Sequence, residues 1–430
     1  MSNATPALNE TVFKLKSLNA HLNELETLLG KEHLLSVPTH LEIDFLSECN
    51  LRCQMCHQAK YVMPHGKLTE LQLNKLIDRL PYIETAMIAG LGEPLLYKKI
   101  GDFLPFLRRY AVQSHLFTNG MLIDKHLDTL KNLNKISISF DGDNKDTFEF
   151  LRSRADFDKI VKNMAALRST SSDLCLATST VISSKNINEI VGIVKIAIEV
   201  GLNEVHLSPV DHTPSLELKK TDIANFTAQI EQAQQLAQSA NLTIFNNIKT
   251  EDFREDRNSE ISKEDKQNVS ELFPDSPPTP QNPQEKDEDL DAIKILSSNG
   301  VFVHELPAAE ERIELEHRYR KLKTRYNELF KVALSEPNRL KIPDCSAPWK
   351  YTFARSNGQA RLCPYADIDV GKVEDVLGAD YNSPLLEKIR RSLADKRPLL
   401  AVCQNCTDDH RKFRGKETKS YLNSLIASIK

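Results

Sequence analysis

Ser47-Glu48-Cys49-Asn50-Leu51-Arg52-Cys53-Gln54-Met55-Cys56-His57 decides how this chain is read. It places three cysteines in a Cys-x3-Cys-x2-Cys spacing directly behind an apolar strand candidate, Leu41–Leu46. Three thiolates on a tight loop suit three irons of a cubane cluster, a soft-ligand preference. The fourth iron would then have no protein ligand, and an open metal position is where chemistry occurs. Zinc is the competing reading, but it normally takes four closed ligands. His57 adjoins Cys56 and is poorly placed to complete a tetrahedron with all three thiolates.

Outward from that loop, residues 39–246 alternate strand-like and helix-like segments. Thr85–Ala89, Ser114–Phe117, Lys135–Phe140, Leu174–Val181, Glu204–Leu207 and Leu242–Phe245 read as further strands. Amphipathic segments separate them, among them Thr69–Leu80, Ile100–Arg109, Phe157–Leu167, Ile187–Val200 and Asp222–Ala240. Repeated strand–helix units imply an α/β fold with a parallel sheet and right-handed crossovers, open or curled into a (β/α) barrel. Functional groups then belong on the loops that follow the carboxyl ends of the strands.

Residues 1–38 read as a helical extension that covers one end of this core, with Val12, Leu15, Leu18, Leu22, Leu25, Leu28 and Leu29 at three- and four-residue spacing. Composition changes at residue 247. Glu251–Leu290 holds 13 acidic and 5 basic residues with 5 prolines, too little apolar surface to offset its ordering entropy. Residues 247–290 are therefore expected to be a disordered acidic insertion. Residues 291–340 follow as a helical linker, in which Leu315, Tyr319, Leu322, Tyr326, Leu329 and Ala333 form one apolar seam. Residues 341–430 form a last domain holding Cys345, Cys363, Cys403 and Cys406.

The chain of 430 residues is 40% hydrophobic and 27% charged, so most of it can build a core. Its net charge of −4 gives no footprint for generic nucleic-acid or anionic-membrane binding. The first residues lack the basic-then-apolar form of a signal peptide, and no apolar run reaches the ~18 residues of a spanning helix. A cytoplasmic location is expected. There the eight cysteines, clustered rather than paired, point to metal ligation instead of disulfides.

The cysteine triplet and the motifs behind it resemble the radical S-adenosylmethionine (SAM) superfamily. The resemblance implies a partial (β/α)6 barrel in which Cys49, Cys53 and Cys56 hold a [4Fe–4S] cluster. The open iron chelates SAM, and reductive cleavage yields a 5′-deoxyadenosyl radical that abstracts hydrogen from a substrate. Gly90-Leu91-Gly92-Glu93-Pro94 resembles the family's Gly-Gly-Glu-Pro motif, which holds the methionine ammonium. Thr118-Asn119-Gly120 matches a motif behind the third strand, and Ser139-Phe140-Asp141-Gly142 one behind the fourth that approaches the methionyl and ribose parts. Arg152 stands where an arginine pairs with the SAM carboxylate. Met55 takes the place of an aromatic near the adenine, and Ser179 and Leu207 fall where ribose and adenine contacts are made.

Cys345 and Cys363 flank a hairpin turned at Asn357-Gly358, and Cys403-Gln404-Asn405-Cys406 follows. A zinc ribbon is a rival on spacing alone. The pattern resembles the SPASM domain in its shortened Twitch form, a small α+β module carrying one auxiliary [4Fe–4S] cluster that transfers electrons. These resemblances imply an oxidoreductase-like enzyme acting on a small molecule, served by a reductant such as flavodoxin or ferredoxin. A peptide or protein maturase and a non-catalytic zinc or iron–sulfur protein are the alternatives. Asp211 and His212, after the sixth strand, are candidate bases. Cys175 is a candidate hydrogen-atom donor, set against the ordinary reading of a small buried hydrophobe.

Overall fold

The computed structural model describes residues 6–56, 58, 65–211, 213–255, 301–335, 341, 343, 345–363, 366–376, 382–397 and 400. Its centre is one sheet of ten strands. In chain order these are β1 (His40–Ile43), β3 (Thr85–Ile88), β4 (Gln113–Thr118), β5 (Lys135–Ser139), β7 (Cys175–Ile182), β8 (Glu204–Pro209), β9 (Thr243–Asn246), β10 (Tyr351–Ala354), β11 (Gln359–Cys363) and β12 (Ala366–Lys372). The spatial order is β12-β11-β10-β1-β3-β4-β5-β7-β8-β9. All pairs from β10 to β9 are parallel, and β10-β11-β12 are antiparallel. The six strands β1, β3, β4, β5, β7 and β8 make the partial barrel, extended at one edge by β9 and at the other by β10. A separate ribbon pairs β2 (Arg52–Cys53) with β6 (Arg152–Ser153).

Helices fill the crossovers: α2 (Glu70–Arg79), α3 (Ile100–Arg109), α4 (Leu127–Leu130), α5 (Lys145–Leu151), α6 (Phe157–Thr170), α7 (Ile190–Val200) and α8 (Ile223–Ser239). Local chemistry sets their ends. Thr69 and Gln72 form a reciprocal capping box on α2, Asn144 and Asp156 cap α5 and α6, and Gly201, at φ +80°, ends α7. Ile136, Ile138, Leu176, Val205 and Leu207 point from the sheet toward this helical layer and are fully buried. The alternate positions of the same strands face the lumen.

The outer parts of the chain close the amino-terminal end. Asn19 of α1 (Pro6–Leu28) exchanges two hydrogen bonds of 2.8 Å with the Val37 backbone, and Asn23 donates to the carbonyl of Trp349 at 2.8 Å. The long helix α9 (Ala308–Ser335) packs against α1. Its Leu315 and Leu322 are fully buried, and buried Glu311 accepts from Tyr110 Oη at 2.6 Å and pairs with Arg109. The remaining helices are α10 (Ala347–Lys350), α11 (Val373–Val376) and α12 (Pro384–Ala394).

Two boundaries differ from the sequence reading. The core runs on to Glu255, because Ile248 and Phe253 are buried and Phe253 packs on Phe226 at 5.5 Å. Residues 256–290 of the expected insertion lie outside the described residues. The C-terminal strands join the barrel sheet directly, with His40 opposite Tyr351 and Ile43 opposite Ala354. Among the described residues, no helix is long and apolar enough to cross a membrane.

Candidate functional site

The cysteine loop leaves the carboxyl end of β1 and is pinned by its neighbours. Cys53 pairs in the two-stranded ribbon with Arg152, so the loop is tied to the segment after α5. Leu51 N points at Cys49 Sγ at 3.5 Å, Asn119 Nδ2 at the same sulfur at 3.9 Å, and Arg152 at Cys53 Sγ at 3.8 Å. Burial pushes the Cys49 thiol up; the Leu51 amide partly offsets this. Burial also pushes Cys53 up, to about 11, against the pull of Arg152. Among the described residues, no three metal-ligating side chains converge as a preassembled ion site. The donors nevertheless fit an iron–sulfur cluster: three thiols on one loop, with N–H groups aimed at two of the sulfurs.

The loop after β3 is packed onto the cysteine loop. A Cβ on Gly92 would sit 2.1 Å from the carbonyl oxygen of Leu46 and 2.6 Å from that of Glu48, and one on Gly90 would sit 2.1 Å from Asp44 Oδ1. Only glycine allows this approach. Glu93 N donates to Glu48 O at 2.9 Å, locking the two loops together. The Glu93 carboxylate is 2% exposed and accepts from Thr118 Oγ1 at 2.6 Å, Asn119 N at 2.7 Å and Leu95 N at 3.1 Å. Burial pushes its carboxyl up, and these three donors offset part of that. Asn119 then reaches Asn50 Oδ1 at 2.8 Å. Glu93 thus fixes Thr118 and Asn119 beside the cysteines. Gly92→Ala is expected to cost about 1–3 kcal/mol, read as a lower urea midpoint, and to loosen iron retention together with stability.

A second anchor comes from β5. Asp141, fully buried, accepts from Val181 N at 2.7 Å and pairs with Arg152 Nε at 2.7 Å. Burial works against the Arg152 charge, but Asp141 and Cys53 hold its pKa above the ordinary arginine value. The arginine expected beside the SAM carboxylate is therefore already gripped on one edge by Asp141 while its other edge faces Cys53.

Met55, 9% exposed, packs with Cys53, Leu151, Val181, Leu216 and Val210, forming an apolar wall beside the loop. Ser139 and Ser179 are register partners on β5 and β7, both half-buried on the lumen face. Leu207 differs from expectation. Strand alternation turns its side chain into the core, where it is fully buried, and gives the lumen to His206 and Ser208.

The structure sets Asp211 and Cys175, two of the three candidate catalytic residues, apart. Asp211 is exposed on the loop after β8, and His212 lies outside the described residues. Cys175 opens β7 at the opposite, amino-terminal mouth and donates to Glu204 Oε1 at 3.4 Å. Cys345 and Cys363 lie at that mouth too, since β10 runs parallel to β1 and β11 returns antiparallel to it. Both pack against the core. Cys403 and Cys406 lie outside the described residues.

The sequence reading missed the ribbon that joins Cys53 to Arg152 and the ionisable side chains of the lumen. Lys135 pairs with Glu204, whose Oε2 lies 2.6 Å from His206 Nε2, and Lys135 Nζ lies 3.3 Å from the same nitrogen. Burial pushes the Glu204 carboxyl up, but Lys135 and His206 together outweigh it and leave it lowered. A signal existed: Lys135-Ile-Ser137-Ile-Ser139 and Glu204-Val-His206-Leu-Ser208 alternate polar and apolar. Parallel strands covered on both faces would be apolar throughout.

A parallel partial barrel with three cysteines behind its first strand defines the class. Residues 43–197 match the family model of the radical SAM superfamily. Members of that family use a [4Fe–4S] cluster and SAM. Among curated relatives, a GTP 3′,8-cyclase of Petrotoga mobilis is 24% identical over 184 residues, 41% of this chain and 56% of that protein. A tungsten-containing aldehyde ferredoxin oxidoreductase cofactor-modifying protein of Pyrococcus furiosus is 24% identical over 102 residues, 23% of this chain and 28% of that one. The chain thus spans about half, or less, of the length of these relatives. Among solved structures, Streptococcus suis SuiB bound to SAM aligns at 15% identity and TM-score 0.49, covering 86% of this chain and 71% of that one.

Proposed function

We propose that this chain is an enzyme that reductively cleaves SAM and abstracts hydrogen from a small molecule held in the barrel lumen, in a redox or rearrangement step. The observation that carries the reading is the convergence of Asn119 and Arg152 on the thiols of the Cys49–Cys56 loop. When bound there, a [4Fe–4S] cluster supplies the electron that breaks a C–S bond of SAM. Cys49, Cys53 and Cys56 would hold it. Arg152, fixed by Asp141, would orient a carboxylate, and Met55, Val181 and Val210 would exclude water on the apolar side.

The lumen supplies a proton acceptor for a substrate carbon that is oxidised. His206, held against Glu204 and stacked on Phe245 at 4.5 Å, faces the interior, whereas Asp211 is exposed. Cys345, Cys363, Cys403 and Cys406 would hold a second, fully ligated cluster, which would supply electron transfer. A small-molecule substrate is the reading kept here, with a peptide substrate as the alternative that the same assay can separate.

Anaerobic reconstitution tests the reading. About eight irons per chain, with dithionite-dependent release of 5′-deoxyadenosine, is the expected result for two [4Fe–4S] clusters. About four irons with deoxyadenosine would remove the second cluster and keep the first. Bound zinc with no deoxyadenosine would overturn the proposal.

A further inference from the structure

Strand register builds a stack of side-chain layers inside the barrel. Glu42, Met87, His115, Lys135 and Cys175 are successive register partners on β1, β3, β4, β5 and β7, so five strands contribute one side chain each to one layer. The next layer toward the cysteine loop contains Phe117, Ser137, Ala177 and Glu204, and the one beyond it Ser139, Ser179 and His206. The contacts from Lys135 to Glu204 and His206 therefore cross all three layers. At the amino-terminal mouth a cavity of about 420 Å³ lies against the first layer, lined by Glu42, Met87, His115 and Lys135 with His40 and Tyr351.

This lining has two properties. It is aromatic and soft: the His40 and Tyr351 rings pack with centroids 4.9 Å apart and tilted by 34°, His115 lies 4.2 Å from Phe117, and Met87 adds a thioether. Three of its ionisable groups, Lys135, His115 and Glu42, also present no free charge near neutral pH. Lys135 is already paired with Glu204. Burial drives the His115 pKa down to about 4, with Lys135 and His206 adding to the shift, so its ring is neutral and its Nε2 shares a hydrogen bond with Ser137 at 2.8 Å. Burial pushes Glu42 up to about 8; Arg361 on β11 pulls it back and Asp44, just past the end of β1, adds to the shift. A charged ligand would find no counter-ion among these three groups, which is costly in a half-enclosed site.

We propose that this cavity binds a flat, uncharged, hydrogen-bonding organic group, with Glu42 as a polar anchor and the His40–Tyr351 pair and Met87 as apolar walls. Calling that group part of the substrate rests on the function proposed above; the binding itself does not.

Three probes of one shape and different charge test this with the reconstituted full chain and no SAM. Benzamide is neutral, benzoate anionic and benzamidinium cationic, and ligand-observed NMR titration at pH 6.5 reads all three. Benzamide is expected to bind at least about tenfold more tightly than either ion. Gln113→Trp and Thr85→Trp, both at exposed rim positions, should each weaken benzamide by about tenfold while thermal unfolding stays as in the parent chain. Raising the pH to about 9.5 ionises Glu42 and should weaken benzamide and strengthen benzamidinium; Glu42→Gln should bind benzamide at both pH values and lose the switch. Equal or better binding of either ion, no benzamide binding at millimolar concentration, or binding indifferent to both tryptophans would overturn the inference. Deoxyadenosine release is measured separately, so failure here leaves the SAM reading standing, and the reverse holds.

Discussion

Alanine at any one of Cys49, Cys53 or Cys56 is expected to take 5′-deoxyadenosine formation to background. Two thiolates do not hold a cubane that needs three. Iron content should fall by about four per chain, and the remaining iron should be that of the C-terminal cysteines. The metal-free protein should unfold within about 1 kcal/mol of the parent, since all three thiols are only half-buried and none is in a disulfide. Alanine at Cys345, Cys363, Cys403 and Cys406 should have the opposite pattern, with SAM cleavage largely retained and substrate turnover impaired. Deoxyadenosine release that persists after loss of all three N-terminal cysteines would end the proposal.

The second large effect belongs to Asp141 and Arg152. Asp141→Ala leaves a buried guanidinium with its main counter-charge gone, and Arg152→Met leaves a fully buried carboxylate supported by Val181 N alone. Each is expected to cost about 3–5 kcal/mol in urea unfolding of the metal-free chain. The double variant Asp141→Leu, Arg152→Met should recover most of that loss, because two apolar groups need no partners. It should not recover iron retention, since no side chain then donates to Cys53 Sγ. Strictly additive losses in the double variant would show that the pair is not coupled. Recovered iron would show that Arg152 does not act on the cysteine loop.

Much of the barrel was legible in the residues because each strand is short, regularly patterned and followed by an amphipathic helix. Leu174–Val181 and Lys135–Phe140 announce themselves this way, and the observed strands, Cys175–Ile182 and Lys135–Ser139, differ by one residue at their ends. The insertion boundary was misread at 247 because composition averages over a window. Two apolar residues, Ile248 and Phe253, hold Lys249–Glu255 to the core despite acidic neighbours. Leu207 was assigned from its place at a strand end, and strand periodicity turned it the other way.

Local chemistry is written in consecutive residues: the cysteine spacing, the Gly90 and Gly92 positions, the capping boxes and the alternation of polar and apolar side chains. The sequence alone therefore determined the fold class, the cysteine loop and the order of motifs behind it. Only the tertiary structure decided that Arg152 serves Asp141 and Cys53 at once, that Cys345 and Cys363 stand at the mouth opposite the Cys49–Cys56 loop, and that Glu42, His115, Lys135 and Cys175 share one layer. Those relations join residues tens to hundreds of positions apart. They depend on strand register and sheet order, which no local pattern encodes, because a shift of one residue would turn every one of these side chains to the other face.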